Sequence, residues 1–385
     1  MIKILHTGDV HLDSPFSGLN LKKSELRRRE LRHTFRTLMQ YVKSNGIDIL
    51  LIAGDLFDSG FVTRETVEML TAEFESVPFC KVIITPGNHD PYKDNSVYAK
   101  VAFPPNVHIF KTEYPEKLEM PEMDLDIYGY AFLTPAFRRS PLANMSVENP
   151  ERLNILCAHA DLGAPLSPHA PLSESDIAAF GCDYTALGHV HNGGEIIKVK
   201  SALTENDIYY GYSGCLEGRD FGETGAKCAI LLEVTSPEDA SLDHPRQIKF
   251  KKVRFAKRRY DIETIDISGA HTASEATSAI SALIDENEYG ENNLLRIILT
   301  GSVSPSLTIP KSLSENTPLF HLEIVDSTLP LLDNDALTRD KTVKGEVYRK
   351  IKPLLENGTP SERETAAKAL RYTLSALSGA EVVDF

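Results

Sequence analysis

Ile47-Asp48-Ile49-Leu50-Leu51-Ile52-Ala53-Gly54-Asp55 is a nearly unbroken apolar run that ends in a glycine and a carboxylate. Apolar residues on both faces read as a strand buried on both sides, as in a parallel sheet covered by helices. The glycine lets the chain turn tightly and leaves Asp55 at the carboxyl end of the strand, where open α/β sheets place their active sites. Upstream, residues 2–5 form a short apolar strand ending at Thr7-Gly8-Asp9. Between the two strands, Leu31, Phe35, Leu38 and Val42 recur at helical spacing across residues 24–44, closed by Asn45-Gly46. Downstream, a helix at about 63–76 precedes another buried strand, 81–85, which ends at Pro86-Gly87-Asn88-His89. The first ninety residues therefore read β-α-β-α-β.

The same order of apolar strand, small residue and polar group recurs further on. Residues 154–158 lead into His159, and 184–187 into Gly188-His189-Val190-His191. Singly, these motifs are weak: Asp9-Val10-His11 is a common triplet, and Gly-Asp often ends a strand because glycine turns and aspartate caps. Gly87-Asn88-His89-Asp90 is more specific, as is a histidine pair at i, i+2, which points to one side of an extended segment. Together they supply seven candidate metal ligands, Asp9, His11, Asp55, Asn88, His159, His189 and His191, with His89 beside them. All are oxygen or imidazole donors, which suit two Mn²⁺- or Fe-like ions better than a structural zinc. Two ions about 3.5–4 Å apart activate water and stabilise the oxygens of an in-line displacement at a phosphate ester.

The chain has 385 residues, 42% hydrophobic and 25% charged, enough for two or three domains. A net charge of −14 argues against a free-standing nucleic-acid binder. Basic residues nevertheless cluster: residues 246–259 hold eight Lys or Arg and no acid, and Arg27, Arg28, Arg29 and Arg32 lie together. One basic face can meet DNA, although 246–259 also reads as an edge strand whose charges resist aggregation. The start MIKILHTGDVH has no basic n-region or cleavage site, and no apolar run approaches the roughly 20 residues that span a membrane. Cys80, Cys157, Cys182, Cys215 and Cys228 form no CxxC pair and read as buried thiols. A cytoplasmic location without a membrane partner is expected.

Further strands are expected at 126–132, 208–212 and 228–234. After residue 245 a β-α-β-β pattern follows, with strands at 262–267, 294–300 and 319–325 and a helix at 274–285. The tail carries a helix at 360–378, opened by the capping box Thr359-Pro360-Ser361-Glu362 and stopped by Gly379. The expected division is 1–245, 246–330 and 331–385.

The set and order of these motifs resemble the calcineurin-like metallophosphoesterases. The resemblance implies a four-layer α/β/β/α sandwich with a small α+β capping domain at 246–330 and a C-terminal helical tail. Carried over motif by motif, it implies that Asp9, His11, Asp55 and His191 hold one divalent ion. Asp55, Asn88, His159 and His189 would hold the other, with Asp55 shared. Mn²⁺ is the first expectation, with Fe, Zn or Mg as alternatives. His89 would act near the phosphate as general acid or transition-state stabiliser.

Within the family, HTGDVHLDSPFSGL (6–19), GDLFDSG (54–60) and DYTALGHVHNG (183–193) resemble the bacterial DNA-repair exonuclease branch. This is the SbcD nuclease group with its YhaO-like members. Tyr212-Ser213-Gly214, Gly218-Arg219 and Glu223-x-Gly225-x-Lys227 resemble the YhaO-like signature. The resemblance implies a Mn-dependent DNA nuclease subunit in repair, a 3′→5′ exonuclease on duplex ends with single-strand endonuclease activity. It also implies an SMC-like coiled-coil ATPase of SbcC/YhaN type as partner, bound after the cap, and a homodimer through helices of the first domain. Asp58 stands where some relatives carry a second histidine, and Cys228 where YhaO-like proteins have glycine.

Two other readings compete. A phosphodiesterase or phosphatase for a small nucleotide or other non-DNA ester fits the acidic charge; a non-catalytic scaffold is opposed by the complete ligand set. His6 and His108 read as structural. Asp13, Asp90 and Asp161 read either as groups that fix a histidine tautomer or as turn caps. Arg219 reads as a phosphate contact or as the partner of Glu223.

Overall fold

The computed structural model describes residues 1–58, 62–235, 247–304, 317–331 and 333–377, with Leu307, Ile309 and Leu313. Its strands fall where apolar runs are bounded by turn residues. Ile49–Ala53 is central in a six-stranded sheet of order Ile248–Arg254, Cys228–Val234, Ile2–Thr7, Ile49–Ala53, Lys81–Thr85, Val107–Ile109. The second sheet runs Ile197–Lys200, Asp207–Tyr212, Tyr184–Gly188, Leu153–His159, Leu125–Gly129, Glu116–Met120.

Period-two alternation sorts the central strand onto two cores. Ile49 and Leu51 join Ile4, Ile83, Ile127, Ile155 and Tyr184 between the sheets. Leu50 and Ile52 pack outward on Leu31, Phe35 and Leu38 of helix Leu21–Asn45 and on Leu70 and Phe74 of helix Arg64–Glu75. On the outer face of the second sheet, Leu156 and Leu187 meet Ile177 and Phe180 of helix Glu174–Phe180. The result is the expected α/β/β/α layering. The first long helix ends where the sequence predicts, at a left-handed Gly46 with φ 59° whose N–H donates to Val42.

The chain divides into two compact units, Met1–Lys257 and Arg258–Phe385. The expected boundary at 245/246 lies elsewhere, for a physical reason. Ile248–Arg254 pairs antiparallel along its whole length with Cys228–Val234, so most of the basic stretch is the edge strand of the first sheet. Lys249, Lys251, Lys252 and Arg254 are exposed along it, a charge pattern that blunts an open edge. Arg246 and the helix stop Gly379 lie outside the described residues. The second basic group is not a free face, because Arg27 and Arg32 are buried: Arg27 pairs with Glu30 and Glu217, and Arg32 with Asp13 and Glu65.

In the second unit, Arg259–Asp266, Asn293–Thr300 and His321–Asp326 form a parallel sheet. Ala276, Ile280 and Ile284 of helix Ala273–Glu286 cover it. Helices Val343–Asn357 and Pro360–Leu377 pack through Tyr348, Leu370 and Leu374. Buried Arg371 pairs with Asp326 at the end of that sheet, which is why the tail and the sheet form one unit rather than two at 330/331. No helix among the described residues is long and apolar enough to cross a membrane.

Phe35 is fully buried with its ring edge-on to Phe74, centroids 6.1 Å apart. Phe35→Ala is expected to cost about 3–5 kcal/mol through lost contacts and the cavity left behind. A urea titration checks this: the midpoint should fall with the slope unchanged.

Candidate metal centre

The five motifs meet where the carboxyl ends of the strands of both sheets converge. Asp9 N–H donates to the carbonyl of Gly54 (3.1 Å) and His11 N–H to that of Asp55 (2.9 Å), which ties the first motif to the second. Asp9, His11, Asp55 and His189 have φ of 49°, 50°, 48° and 105°, left-handed conformations rare for residues with a Cβ. Each stores roughly 1–3 kcal/mol of strain, and such outliers gather at functional sites. Close backbone approach demands glycine at two places. A Cβ on Gly188 would lie 1.7 Å from the Ala53 carbonyl oxygen, and one on Gly87 would lie 2.2 Å from Asp55 Oδ1.

Asp9, His11, Asp55 and His191 converge, each with one donor atom within 4.8 Å of the others'. The Nε2 atoms of His11 and His191 lie 3.2 Å apart. Two nitrogens each bound about 2.1 Å from one cation would stand roughly 3–3.4 Å apart, so this spacing fits a shared ion. On the other side of Asp55, His159 Nε2 lies 3.4 Å from Asp55 Oδ2 and 2.8 Å from Asn88 Oδ1. The His189 ring stands 5.1 Å from that of His159, and His189 N–H donates to Asp9 at 3.0 Å. Buried oxygen and imidazole donors with no thiolate fit hard or borderline divalent cations. His89 is the most open of these, its side chain 42% exposed and its ring 4.9 Å from that of His11; with His11 and Asp58 it forms a second group of donors. Its N–H donates to Asp55 Oδ1 (2.9 Å), and its Nδ1 lies 2.9 Å from the Asp58 carbonyl oxygen. It lines an open cleft of about 650 Å³ with Phe57, Asn88, Lys93, Tyr98 and His169.

Outer groups orient the imidazoles. His159 Nδ1 donates to the Ala53 carbonyl (3.0 Å), which leaves Nε2 facing the centre. His191 Nδ1 donates to Glu223 Oε1 (2.7 Å). His11 Nδ1 lies 3.1 Å from Asp58 Oδ1, close enough to pair though off the hydrogen-bonding direction. Arg219 donates to both carboxylates, from Nη1 to Asp58 (3.0 Å) and from Nη2 to Glu223 (2.7 Å). Lys227 Nζ donates to the His191 carbonyl (3.2 Å) and to Asn192 (2.8 Å).

The open alternatives resolve individually. Arg219 is the partner of Glu223, and of Asp58 as well. Asp13 accepts from Thr63 N–H, Thr66 and Arg32, and Asp90 from the N–H groups of Gly87 and Phe57 and from Tyr98; both are loop clamps. Asp161 Oδ2 lies 3.9 Å from His189 Nε2. His6 is structural: burial pushes it down to about 3, and its ring bonds Tyr184. Sequence reasoning named Glu223 only as a partner of Arg219 and Lys227 only within a signature, and assigned no role to Asp58 or to His169, whose ring lies 4.8 Å from that of His189. The available signal was three charged residues, Arg219, Glu223 and Lys227, spaced four apart between the last histidine motif and the strand that follows.

Residues 2–193 match the family Calcineurin-like phosphoesterase. The chain belongs to that family. Uncharacterized metallophosphoesterase YhaO of Bacillus subtilis is 27% identical over 245 residues, 61% of this chain and 58% of that protein. The SbcD component of the nuclease SbcCD of Staphylococcus epidermidis is 25% identical over 256 residues, 58% of this chain and 63% of that one. DNA double-strand break repair protein Mre11 of Methanopyrus kandleri is 24% identical over 208 residues, 49% of this chain and 44% of that one. The chain thus spans less than two thirds of the length of each of these relatives.

In this phosphoesterase the buried charges lean on one another. Burial opposes a charge on His159, yet the carboxylates of Asp55 and Asp9 outweigh it and push the ring up to about 9. Burial also opposes the Asp55 charge, but His159 and His11 hold that carboxyl well below its usual range. Burial, with the His159 charge beside it, pushes His189 down to about 4. A cation would take over the balancing now done by protons, so metal uptake and proton release are linked. In chelator-treated protein, stabilisation from charged His159 is complete below its ordinary 6.5 and fades as pH rises through about 9. Thermal unfolding in chelator should therefore weaken more between pH 6.5 and 9 for the wild type than for His159→Gln. Equal losses would remove His159 as the source.

Proposed function

We propose that this phosphoesterase is a DNA nuclease subunit of DNA repair that works with two divalent cations, manganese first among them. It would act as a 3′→5′ exonuclease on duplex ends, with endonuclease activity on single strands. The observation that carries the reading is the gathering of six further oxygen and imidazole residues around Asp55, with exposed His89 beside them on the cleft. Asp9, His11, Asp55 and His191 would hold one cation, and Asp55, Asn88, His159 and His189 the other. Bound there, two cations would supply Lewis-acid polarisation of a phosphodiester and an activated water.

The chain's own residues would do the rest. Asp13 and Asp90 clamp the loops that carry the ligands, and the backbone N–H of His89 holds Asp55 in place. With Nδ1 of His89 engaged at Asp58, Nε2 is the atom that gives a proton to the departing oxygen. Two relatives named as nucleases or break-repair proteins support DNA as the substrate class. On the same analogy the unit from Arg258 would serve as cap, and its C-terminal helices as the dock for an SMC-like coiled-coil ATPase, with homodimerisation through the first unit and a cytoplasmic setting. The cleft of about 650 Å³ is also the size of a pocket for a small ligand, which favours hydrolysis of a small nucleotide ester as the second reading.

An end-labelled linear duplex incubated with Mn²⁺, beside a chromogenic phosphodiester, separates the two. Ladders growing from the DNA end are expected; turnover of the small ester with intact DNA would favour the second reading. His89→Ala should keep metal and DNA binding and lose roughly 10²–10⁴-fold in rate. Asp55→Ala should lose both cations, and two ions retained on elemental analysis would refute its shared role.

A further inference from the structure

We propose that Arg219 is a positioning residue for one of the two cation positions: by gripping Asp58 and Glu223 together it aims His11 and His191 at a single ion. The inference rests on the two-cation reading above. Arg219 is 14% exposed at its side chain, and its guanidinium joins groups distant in sequence. Nη1 reaches Asp58 Oδ1 at 3.0 Å, while Nε and Nη2 reach Glu223 Oε1 at 3.1 and 2.7 Å. A planar fork can hold two carboxylates at fixed angles; an ammonium cannot. Each carboxylate then faces one imidazole Nδ1, Asp58 that of His11 (3.1 Å) and Glu223 that of His191 (2.7 Å). The opposite nitrogens of those two rings meet 3.2 Å apart.

The grip has a backbone counterpart. Arg219 N–H donates to Glu223 Oε2 at 2.7 Å, and Lys227 Nζ holds the His191 carbonyl at 3.2 Å. The turn from 219 to 227 thereby closes around the Gly188-His189-Val190-His191 loop. The second position is held by other means. His159 is oriented by the Ala53 carbonyl at 3.0 Å, and Asn88 Oδ1 meets its Nε2 at 2.8 Å. Loss of Arg219 should therefore act on one position and spare the other. Nη2 also lies 2.9 Å from His191 Nδ1, so Arg219 meets that ring directly as well as through Glu223.

The test is metal content and Mn²⁺ electron paramagnetic resonance of wild type, Arg219→Ala and Arg219→Lys. The wild type should take up two ions with an exchange-coupled spectrum. Arg219→Ala should bind Mn²⁺ about 10–100-fold more weakly at one position, giving one ion per chain at limiting metal and the spectrum of isolated Mn²⁺. Arg219→Lys keeps the charge without the fork and should shift in the same direction by less. Asp58→Asn, which removes the charge but keeps the acceptor oxygen at the other end of the grip, should also shift in the same direction by less. Two ions retained with unchanged affinity and coupling in Arg219→Ala and Asp58→Asn would overturn the proposal. So would loss of both ions from chains whose circular dichroism is native. A wild type that binds fewer than two ions would instead refute the two-cation reading beneath it.

Discussion

The buried carboxylate of Asp55 is the constraint around which the first unit is arranged. It ends the central strand at 1% exposure, in a left-handed backbone conformation. An ionised carboxylate at that depth is tolerated only when paired and hydrogen-bonded. His159 from the second sheet, His11 from the first strand's turn and the N–H of His89 from the third strand's turn supply that pairing. Three other loops must therefore arrive within a few ångströms of one side chain. The parallel neighbours of Ile49–Ala53, Ile2–Thr7 and Lys81–Thr85, deliver two of them, and the facing sheet delivers the third.

That arrival has a cost in backbone geometry. Candidate ligands Asp9, His11, Asp55 and His189 all take positive φ, and Gly87 and Gly188 leave no room for a methyl group. Such strain persists only where the surroundings over-determine it. Here the surroundings are three apolar cores, one between the sheets and one on each outer face. Stability of the sandwich and geometry of the site are thus one problem: the packing that buries Ile49–Ala53 on both faces also holds the turn after it away from relaxed conformations.

Much of this was legible in the residues. Unbroken apolar runs marked the strands because strands buried on both faces carry no polar alternation, and the small residue after each run marked where the chain must turn. Helix ends were legible from Gly46 and from the Thr359–Glu362 capping box, in which both reciprocal hydrogen bonds form. Less legible were features that depend on pairing. Residues 248–254 read either as a DNA-facing basic stretch or as an edge strand, and pairing decided for the strand: Ile248 and Phe250 pack between the sheets while Val253 packs on the outer core. Arg27 and Arg32 looked like a surface cluster, yet their partners Glu217 and Asp13 are too far away in the chain for any local pattern to reveal.

The sequence by itself determined the strand-turn grammar and the donor types that end each strand, because local chemistry dictates both: apolar runs must be buried, tight turns need small residues, and only certain side chains bind hard cations. Tertiary structure alone decided which donors share a position and which groups aim them. Arg219, Glu223 and Lys227 were visible as a signature without a role, and Asp58 only as a departure; they acquire a role only because folding brings the turn after the central strand, the last histidine motif and residues 219–227 within hydrogen-bonding distance. Hydrogen bonds and ion pairs act over about 3 Å of space regardless of separation along the chain, so what they organise cannot be read until the chain has closed.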